Sequence, residues 1–179
     1  MMDIRLATLD DASEIAAIYR PYVEDSTISF ELLAPTEAVM RERMGKVLAK
    51  LPWLVCEQSG VMVGYAYASP HHDRAAYQWS VDVSVYLRQA LQRRGFGRVM
   101  YSELFTLLVQ QGYYTAYAGI SLPNAASVGL HRSFGFEPVG IYRNAGFKFG
   151  AWHDVAWWQK PLRNYVAPVA SPSARIWHT

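Results

Sequence analysis

The stretch that most constrains the fold spans residues 80–112, in which three local patterns follow one another. SVDVSVYL (80–87) alternates polar and apolar residues, QRRGFGR (92–98) contains two glycines, and VMYSELFTLLVQQG (99–112) carries an apolar stripe that ends at Gly112. The alternation is typical of a strand, the stripe is typical of a helix, and the final glycine marks a helix C-terminus. The stretch therefore predicts a strand, a glycine loop and a helix in succession.

The strand of this stretch has one polar face. With a period of two, one face carries Val81, Val83, Val85 and Leu87, and the other carries Ser80, Asp82, Ser84 and Tyr86. A central strand of a covered sheet is usually apolar on both faces, so the polar row indicates either a solvent-filled cleft or an edge strand. Asp82 is the only carboxylate in the row, and it is the candidate general base if the row faces a cleft.

The glycine loop has the features of a phosphate site. Gly95 and Gly97 stand at the start of a helix, where free backbone N–H groups and the positive end of the helix dipole attract an anion. Arg93, Arg94 and Arg98 would add charge-assisted contacts. The motif alone is also compatible with an ordinary solvated turn that binds no phosphate. It is neither a Rossmann fingerprint, which has a third glycine, nor a Walker A loop, which continues with Gly-Lys-Ser/Thr.

The whole chain predicts one α/β (α+β) domain over residues 1–163 and a loosely ordered tail over residues 164–179. The 179 residues are 51% hydrophobic, enough for one full core and too few for two large domains. The predicted order is β-α-α-β-β-β-α-β-α-β-β, a mixed central sheet flanked by helices. The tail is rich in Pro, Ser and Ala and has no periodicity.

Turn and cap residues place three of the connections. Ser59-Gly60 predicts a hairpin turn, and Asn124 predicts the N-cap of a short helix that ends at Gly135. NAGFKFGA (144–151) is interpreted as a glycine-bearing connection between the last two strands.

Composition excludes several classes of protein. The net charge of +2 is mild, and the three loop arginines lack interleaved exposed aromatics or a long basic stripe, so a nucleic-acid partner is disfavoured. A single cysteine, Cys56, in an apolar run excludes a disulfide framework. No secretory signal and no apolar run of about 18 residues is present, so we expect a soluble cytoplasmic protein without a membrane partner. His71 and His72 are adjacent and lack further ligands, so we expect solvated loop histidines and no metal site.

The segments around the glycine loop carry a family resemblance. Gln92-x-x-Gly95-x-Gly97 resembles the acyl-CoA pyrophosphate loop of GNAT N-acetyltransferases, and LPNAASVGLHRSFGFEPVG (122–140) resembles their coenzyme A-side helix. PWLVCE, GYAYASPHHDRAAYQWSVDVSVYL, NAASVGLH and AGFKFGAWHDVAWWQ are similar, in this order, to phosphinothricin (glufosinate) and methionine sulfoximine acetyltransferases. The resemblance covers residues 3–162 and implies the GNAT acyl-CoA N-acyltransferase fold.

The resemblance implies acetyl-CoA as a co-substrate and no metal. The coenzyme would lie between two diverging parallel strands, SVDVSVYL and YYTAYAGI (113–120), with its pantetheine held by main-chain hydrogen bonds. The implied cofactor-binding residues are Val85, Tyr86, Leu87, Arg93, Arg94, Gly95, Phe96, Gly97, Arg98, Asn124 and Ser133.

The implied chemistry is direct transfer of an acetyl group to a primary amine. A base must first remove a proton, because only the neutral amine has a free lone pair. The family places a glutamate where this chain has Asp82, so we expect the shorter side chain to act through a water or in a tighter pocket. His131 stands where many members have tyrosine, and it is either a structural histidine, a second base or a proton donor on the thiol side.

The implied acceptor is a small amino acid with a polar sulfur or phosphorus head. Arg74 would bind its carboxylate, and the aromatic wall would come from Phe30. Glu31 stands where phosphinothricin enzymes carry a basic residue, a departure that bears on recognition of the head group. The remaining substrate-side residues are Ala75, Ala76 and Tyr77.

Two other functions stay open from the sequence. One is a GNAT acetyltransferase for another amine, such as a polyamine, an aminoglycoside or a protein N-terminus. The other is a non-catalytic acyl-CoA sensor. The family resemblance also implies a homodimer.

Overall fold

The computed structural model describes residues 2–168 and 170–174, and it has the predicted order of strands and helices. The helices are α1 (Ala12–Glu24), α2 (Glu37–Leu48), α3 (Phe96–Gln111) and α4 (Ala125–Ser133). The strands are β1 (Met2–Leu6), β2 (Trp53–Gln58), β3 (Val61–Pro70), β4 (Ser80–Leu87), β5 (Thr115–Ser121), β6 (Glu137–Lys148) and β7 (Ala151–Pro161).

The seven strands form one sheet in the order β1-β2-β3-β4-β5-β7-β6. One face packs on α3 through a large core that includes Val81 and Val83, and the other packs on α1 and α2 through a second core. Strand β4 lies in the interior of the sheet, between β3 and β5. The edge-strand interpretation of its polar row is therefore wrong, and the row faces the α1–α2 side.

Strands β4 and β5 are parallel and separate early. Their pairing covers only Ser80 with Thr115, Val81 with Ala116 and Asp82 with Tyr117. Beyond this point β4 continues to Leu87 while remaining paired with β3 on its other side. The sheet therefore opens into a V-shaped cleft, with Asp82 at the point where the two strands part.

The predicted turn and cap residues lie where the sequence placed them. Ser59 and Gly60 both have positive φ, 53° and 79°, as a tight hairpin turn requires. The side chain of Asn124 accepts a hydrogen bond from the N–H of Ser127, which caps α4. Gly112 ends α3 with φ of 97°.

The last hairpin differs from the sequence interpretation. NAGFKFGA (144–151) is mostly strand: β6 runs through it to Lys148, with an irregular register between Tyr142 and Gly146. The turn itself is Phe149-Gly150, where both residues have positive φ. The glycine at 146 is not a strand breaker; it leaves room for Phe30, because an added Cβ would lie 2.4 Å from that ring.

The tail lies partly outside the described residues, which omit 169 and 175–179. The described part, 164–168 and 170–174, has no helix or strand. It is nevertheless bonded to the domain: Tyr165 Oη lies 3.0 Å from the hydroxyl of Thr115, and the N–H of Ser173 donates to the carbonyl of Gln111 at 2.8 Å.

Candidate active site

The main chain of β4 presents free hydrogen-bonding groups to the cleft. The N–H of Arg88 donates to Val63 of β3, so the alternate residues Val85 and Leu87 turn their N–H and C=O groups toward β5. Among the described strands, β5 pairs with β4 no further than Asp82, so Val85 has no partner among them on that side. The cleft is lined by Ile28, Val83, Ser84, Val85, Tyr86, Tyr101, Ala118, Gly119, Ile120, Ser121, Asn124, Ser127 and His131.

Leu87 differs from the expectation of a free main chain. Its N–H donates to the hydroxyl of Tyr22 at 3.2 Å, and the same hydroxyl donates to its carbonyl. The side-chain amide of Gln92 donates to this hydroxyl at 2.9 Å. A pantetheine that uses Leu87 must therefore share it with Tyr22, a residue of α1 that was not among the predicted site residues.

The glycine loop leads directly into α3. Gly95 is the N-cap with φ of 87°, a conformation that favours glycine, and a Cβ added there would meet no atom within 4 Å. The first N–H groups of a helix have no partner four residues back in the chain, and here the N–H of Arg98 donates to the carbonyl of Gly95 at 3.0 Å. Arg93 and Arg94 are exposed, whereas the side chain of Phe96 is buried in the core. Only the main chain of Phe96 is available to a ligand.

Arg98 joins the loop to the end of α4. Its guanidinium donates to the hydroxyl of Ser133 at 3.2 Å and lies 5.4 Å from the centre of the Phe134 ring. Asn124 lies at the other end of α4 and lines the cleft. Gly97 brings the loop close to the cleft, because a Cβ added there would lie 3.5 Å from Leu130 of α4 and 3.8 Å from Val85 of β4.

Asp82 is half-buried and hydrogen-bonded to a histidine. Its Oδ1 lies 2.6 Å from Nδ1 of His71, and its side chain is 29% exposed. Burial raises the pKa of Asp82 above its ordinary value of 3.8, and the hydrogen bond from His71 acts in the opposite direction. The carboxylate predicted to be the base therefore has a histidine partner, which the sequence had assigned to solvent.

The expectation of a solvated loop histidine is wrong for His71 and holds for His72, which is exposed. The side chain of His71 is 14% exposed, and its ring stacks on Tyr117 with centroids 4.1 Å apart and an angle of 13°. The reason is the β3–β4 register, which continues past Pro70 and carries His71 over the sheet beside Asp82.

His131 is buried in a closed chain of hydrogen bonds. Its Nδ1 lies 2.8 Å from the carbonyl of Ser127, which accepts only, so Nδ1 carries the proton. Nε2, 3.1 Å from the hydroxyl of Tyr101, then accepts from that hydroxyl. Burial lowers the pKa of His131, so its imidazole is neutral at neutral pH. Both nitrogens are engaged, an arrangement that favours the structural interpretation.

This burial has a consequence for stability. A lowered pKa means that the folded protein binds the proton less readily than the unfolded chain, so the stabilisation is complete above pH 6.5, the ordinary value, and is lost as pH falls toward the folded pKa. We expect the free energy of unfolding in urea to fall below that pH in the wild type and to fall less in His131→Gln. His72→Gln, at an exposed histidine, should keep the wild-type slope. Equal slopes in all three proteins would contradict this assignment.

The predicted acceptor residues lie on the exposed segment that leads into β4. Arg74 occupies the N-cap position of a 3₁₀ turn formed by Ala75–Tyr77, and its side chain makes no capping hydrogen bond within this turn. The centre of the Tyr77 ring lies 6.1 Å from the centre of the His71 ring. Because His71 is hydrogen-bonded to Asp82, the turn lies close to Asp82. Arg74 forms no ion pair with any residue in the described part of the chain. Phe30 lies instead against Gly146 and His153 of the β6–β7 hairpin.

A pocket of about 210 Å³ lies on the Asp82 side of the sheet, between β3 and the two N-terminal helices. Ser69, the register partner of Asp82, is at its rim. Glu31 is also in its wall and is paired with both terminal nitrogens of Arg43, at 2.6 and 2.9 Å. This ion pair lowers the pKa of Glu31, so the carboxylate stays ionised, and the positive charge of Arg43 balances its negative charge. The other lining residues are Tyr19, Met40, Val47, Trp53, Tyr65 and Tyr67.

Among the described residues, no group of three or more histidine, cysteine or acidic side chains is arranged to hold a metal ion. No helix in the described ranges is both long and apolar enough to cross a membrane.

Known acetyltransferases resemble this chain over most of its length. The model of the acetyltransferase (GNAT) domain matches residues 4–157. A phosphinothricin N-acetyltransferase of Streptomyces viridochromogenes is 38% identical over 167 residues, which cover 93% of this chain and 91% of the relative. An L-methionine sulfoximine/L-methionine sulfone acetyltransferase of Salmonella typhimurium is 33% identical over 94% of this chain and 99% of the relative.

Solved structures show the same similarity. A phosphinothricin acetyltransferase of Sinorhizobium meliloti in complex with acetyl-CoA superposes with a TM-score of 0.89 at 31% identity, over 97% of this chain and 98% of that chain. A putative acetyltransferase of Salmonella typhimurium, also solved with acetyl-CoA, gives a TM-score of 0.90 at 32% identity, over 95% and 99% of the two chains. The parted strands, the glycine loop at the start of α3 and these matches together show that the chain belongs to the GNAT family of acetyltransferases.

Proposed function

We propose that the protein transfers the acetyl group of acetyl-CoA directly to the primary amine of a small amino acid of the phosphinothricin or methionine sulfoximine type. The observation that carries the proposal is the position of Asp82, a half-buried carboxylate where β4 and β5 part. The curated relatives named above act on these amino acids, which supports the same acceptor class here.

In this proposal the coenzyme enters the cleft as an additional strand. Val85 supplies main-chain groups to the pantetheine, and the N–H groups at Gly95 and Gly97 face the pyrophosphate. Arg93 and Arg94, both exposed, add charge at the outer phosphates. Asn124 and Ser133 contact the coenzyme along α4.

The reaction needs a base more than it needs an acid. An aliphatic ammonium has a pKa of about 9 to 10 and must lose a proton before it can attack the thioester. The leaving thiolate, whose conjugate acid has a pKa of about 8.5, departs without a dedicated donor. The engaged nitrogens of His131 agree with this, since neither is free to protonate the sulfur.

The test is a panel of amines with acetyl-CoA, followed by thiol release. Phosphinothricin, methionine sulfoximine and methionine sulfone should turn over, whereas spermidine, an aminoglycoside and a peptide with a free N-terminus should not. Methionine sulfoximine with its amine already acetylated is the blank. If a polyamine or a peptide is acetylated and the amino acids are not, the proposed acceptor class is wrong. If no amine is acetylated, the proposed acetyltransferase activity is wrong.

Arg74 is the expected carboxylate anchor, because its guanidinium is exposed beside the acceptor side and has no ion pair within the described residues. Arg74→Gln should raise KM for the amino acid by about tenfold or more, the range for a lost charge-assisted contact. The methyl ester of that amino acid lacks the carboxylate, so the KM for the ester should be the same in the wild type and in Arg74→Gln. A similar rise for acid and ester would show that Arg74 acts otherwise.

The proposal includes a homodimer. Large apolar side chains are exposed along the β6–β7 hairpin, and β6 is an edge of the sheet. They are Val139, Ile141, Tyr142, Phe147, Phe149 and Trp152. Light scattering should give twice the mass of one chain for the wild type and the mass of one chain for Trp152→Glu. A wild-type protein with the mass of one chain would contradict a homodimer.

A further inference from the structure

We propose that His71 is the group that takes the proton from the acceptor amine, and that Asp82 holds and orients this histidine. The inference rests on the proposed function and adds a catalytic residue to it. It changes the role of Asp82 from a base that meets the amine to the anchor of a two-residue unit.

The first support is the geometry of the pair. His71 Nδ1 and Asp82 Oδ1 are 2.6 Å apart. A carboxylate only accepts, so Nδ1 carries the proton and donates it, which makes Nε2 the acceptor of the neutral ring. Within the described residues only Nδ1 of this ring is hydrogen-bonded, so Nε2 is left for solvent or a ligand.

The second support is that the ring is held in place. It stacks on Tyr117 of β5 and meets the ring of Trp157 of β7 in a T-shaped contact, with ring centroids 5.9 Å apart and an angle of 74°. Tyr117 is itself the register partner of Asp82, so the imidazole lies over the point where the strands part. The titratable groups that face it are Asp82 from β4, His72 and Tyr77 from its own loop, and Tyr117.

The third support is reach. Asp82 Oδ1 is already occupied by Nδ1 of His71. The imidazole extends the reach of the carboxylate, because its second nitrogen stands beyond the first.

His71 Nε2 takes one proton from the ammonium, and Asp82 stabilises the imidazolium by keeping the Nδ1–H bond. The neutral amine forms the N–C bond with the acetyl carbonyl, and the C–S bond breaks to release coenzyme A. The nitrogen loses its second proton as the amide forms, and the thiolate sulfur gains one proton and ends as a thiol. The imidazolium returns its proton to solvent.

The kinetic test uses substitutions that keep the stack. His71→Phe retains an aromatic ring on Tyr117 and removes the base, so kcat should fall roughly 10²-fold or more while KM for acetyl-CoA stays within about twofold. His72→Phe is the matched control at the exposed neighbour and should keep the wild-type rate. His71→Phe combined with Asp82→Glu should recover at least about tenfold of the loss, because the longer carboxylate reaches the amine itself. Wild-type kcat in His71→Phe, or no recovery in the double variant, would overturn the proposal.

A second measurement does not depend on finding an acceptor. Nitrogen chemical shifts of the imidazole should show the neutral His71 ring protonated at Nδ1 in the wild type and no longer fixed in this tautomer in Asp82→Ala. A wild-type ring protonated at Nε2 would overturn the proposal whatever the activity. Failure of the proposed function has a different signature: no amine is acetylated by the wild type, while His71 remains protonated at Nδ1.

Discussion

Replacing Asp82 with alanine should lower kcat roughly 10²- to 10⁴-fold, the range for loss of general base catalysis, and leave the affinity for acetyl-CoA unchanged. The carboxylate is the only one in the polar row of β4, and it bonds to His71 at the point where β4 and β5 part. The loss is expected whether Asp82 meets the amine itself or acts through His71, because both routes need the charge.

The control for this substitution is Asp73→Asn, at an exposed acidic residue of the same loop, which should keep the wild-type rate. Acetyl-CoA binding by calorimetry separates lost catalysis from lost folding.

The pH dependence of the wild-type reaction gives a further test of Asp82. Because burial raises the pKa of Asp82 and a base must be unprotonated, wild-type kcat/KM should fall as pH drops toward that pKa. Full activity in Asp82→Ala with unchanged binding would show that the base lies elsewhere or that none is needed.

Replacing Gly95 with valine should raise KM for acetyl-CoA by about tenfold or more. The added side chain would fill the open space at the start of α3, where no atom of the protein lies within 4 Å of a Cβ. It would also strain the backbone, since φ is 87° and a β-branched residue in this region costs about 1–2 kcal/mol. The two effects must be separated before the rise in KM can be assigned to the phosphate site.

Gly60 provides the matched control. Its φ is 79°, a Cβ there also meets nothing within 4 Å, and it lies in the β2–β3 turn, outside the cleft. Gly60→Val should therefore lose a similar amount of stability, measured by thermal unfolding, with KM for acetyl-CoA unchanged. If Gly95→Val behaves like Gly60→Val in both measurements, the pyrophosphate is bound elsewhere.

Local patterns were sufficient for the order of elements and for the glycine loop. The alternation of β4, the cap at Asn124 and the positive-φ positions at Gly60, Gly95 and Gly112 each depend on neighbours within a few residues. The NAGFKFGA segment was misjudged because glycine usually weakens a strand, whereas here Gly146 makes room for a ring contributed by a distant loop.

The residues missed by the sequence analysis make contacts that no local pattern contains. Tyr22 reaches Leu87 across 65 positions of the chain, and Tyr101 meets His131 across 30. His71 has no periodicity to mark it, and its partner is set by the β3–β4 register. Such contacts are fixed only when the helices and the sheet have been placed together.

The most direct test of the central claim follows the acetyl group itself. The wild-type protein is mixed with acetyl-CoA labelled with carbon-13 in the acetyl carbonyl and with methionine sulfoximine, and the products are observed by NMR. We expect the label in an amide on the α-amine, formed at a rate that Asp82→Ala lowers at least about 10²-fold. Label that remains in the thioester, or that appears only as free acetate, would contradict acetyl transfer to this class of acceptor.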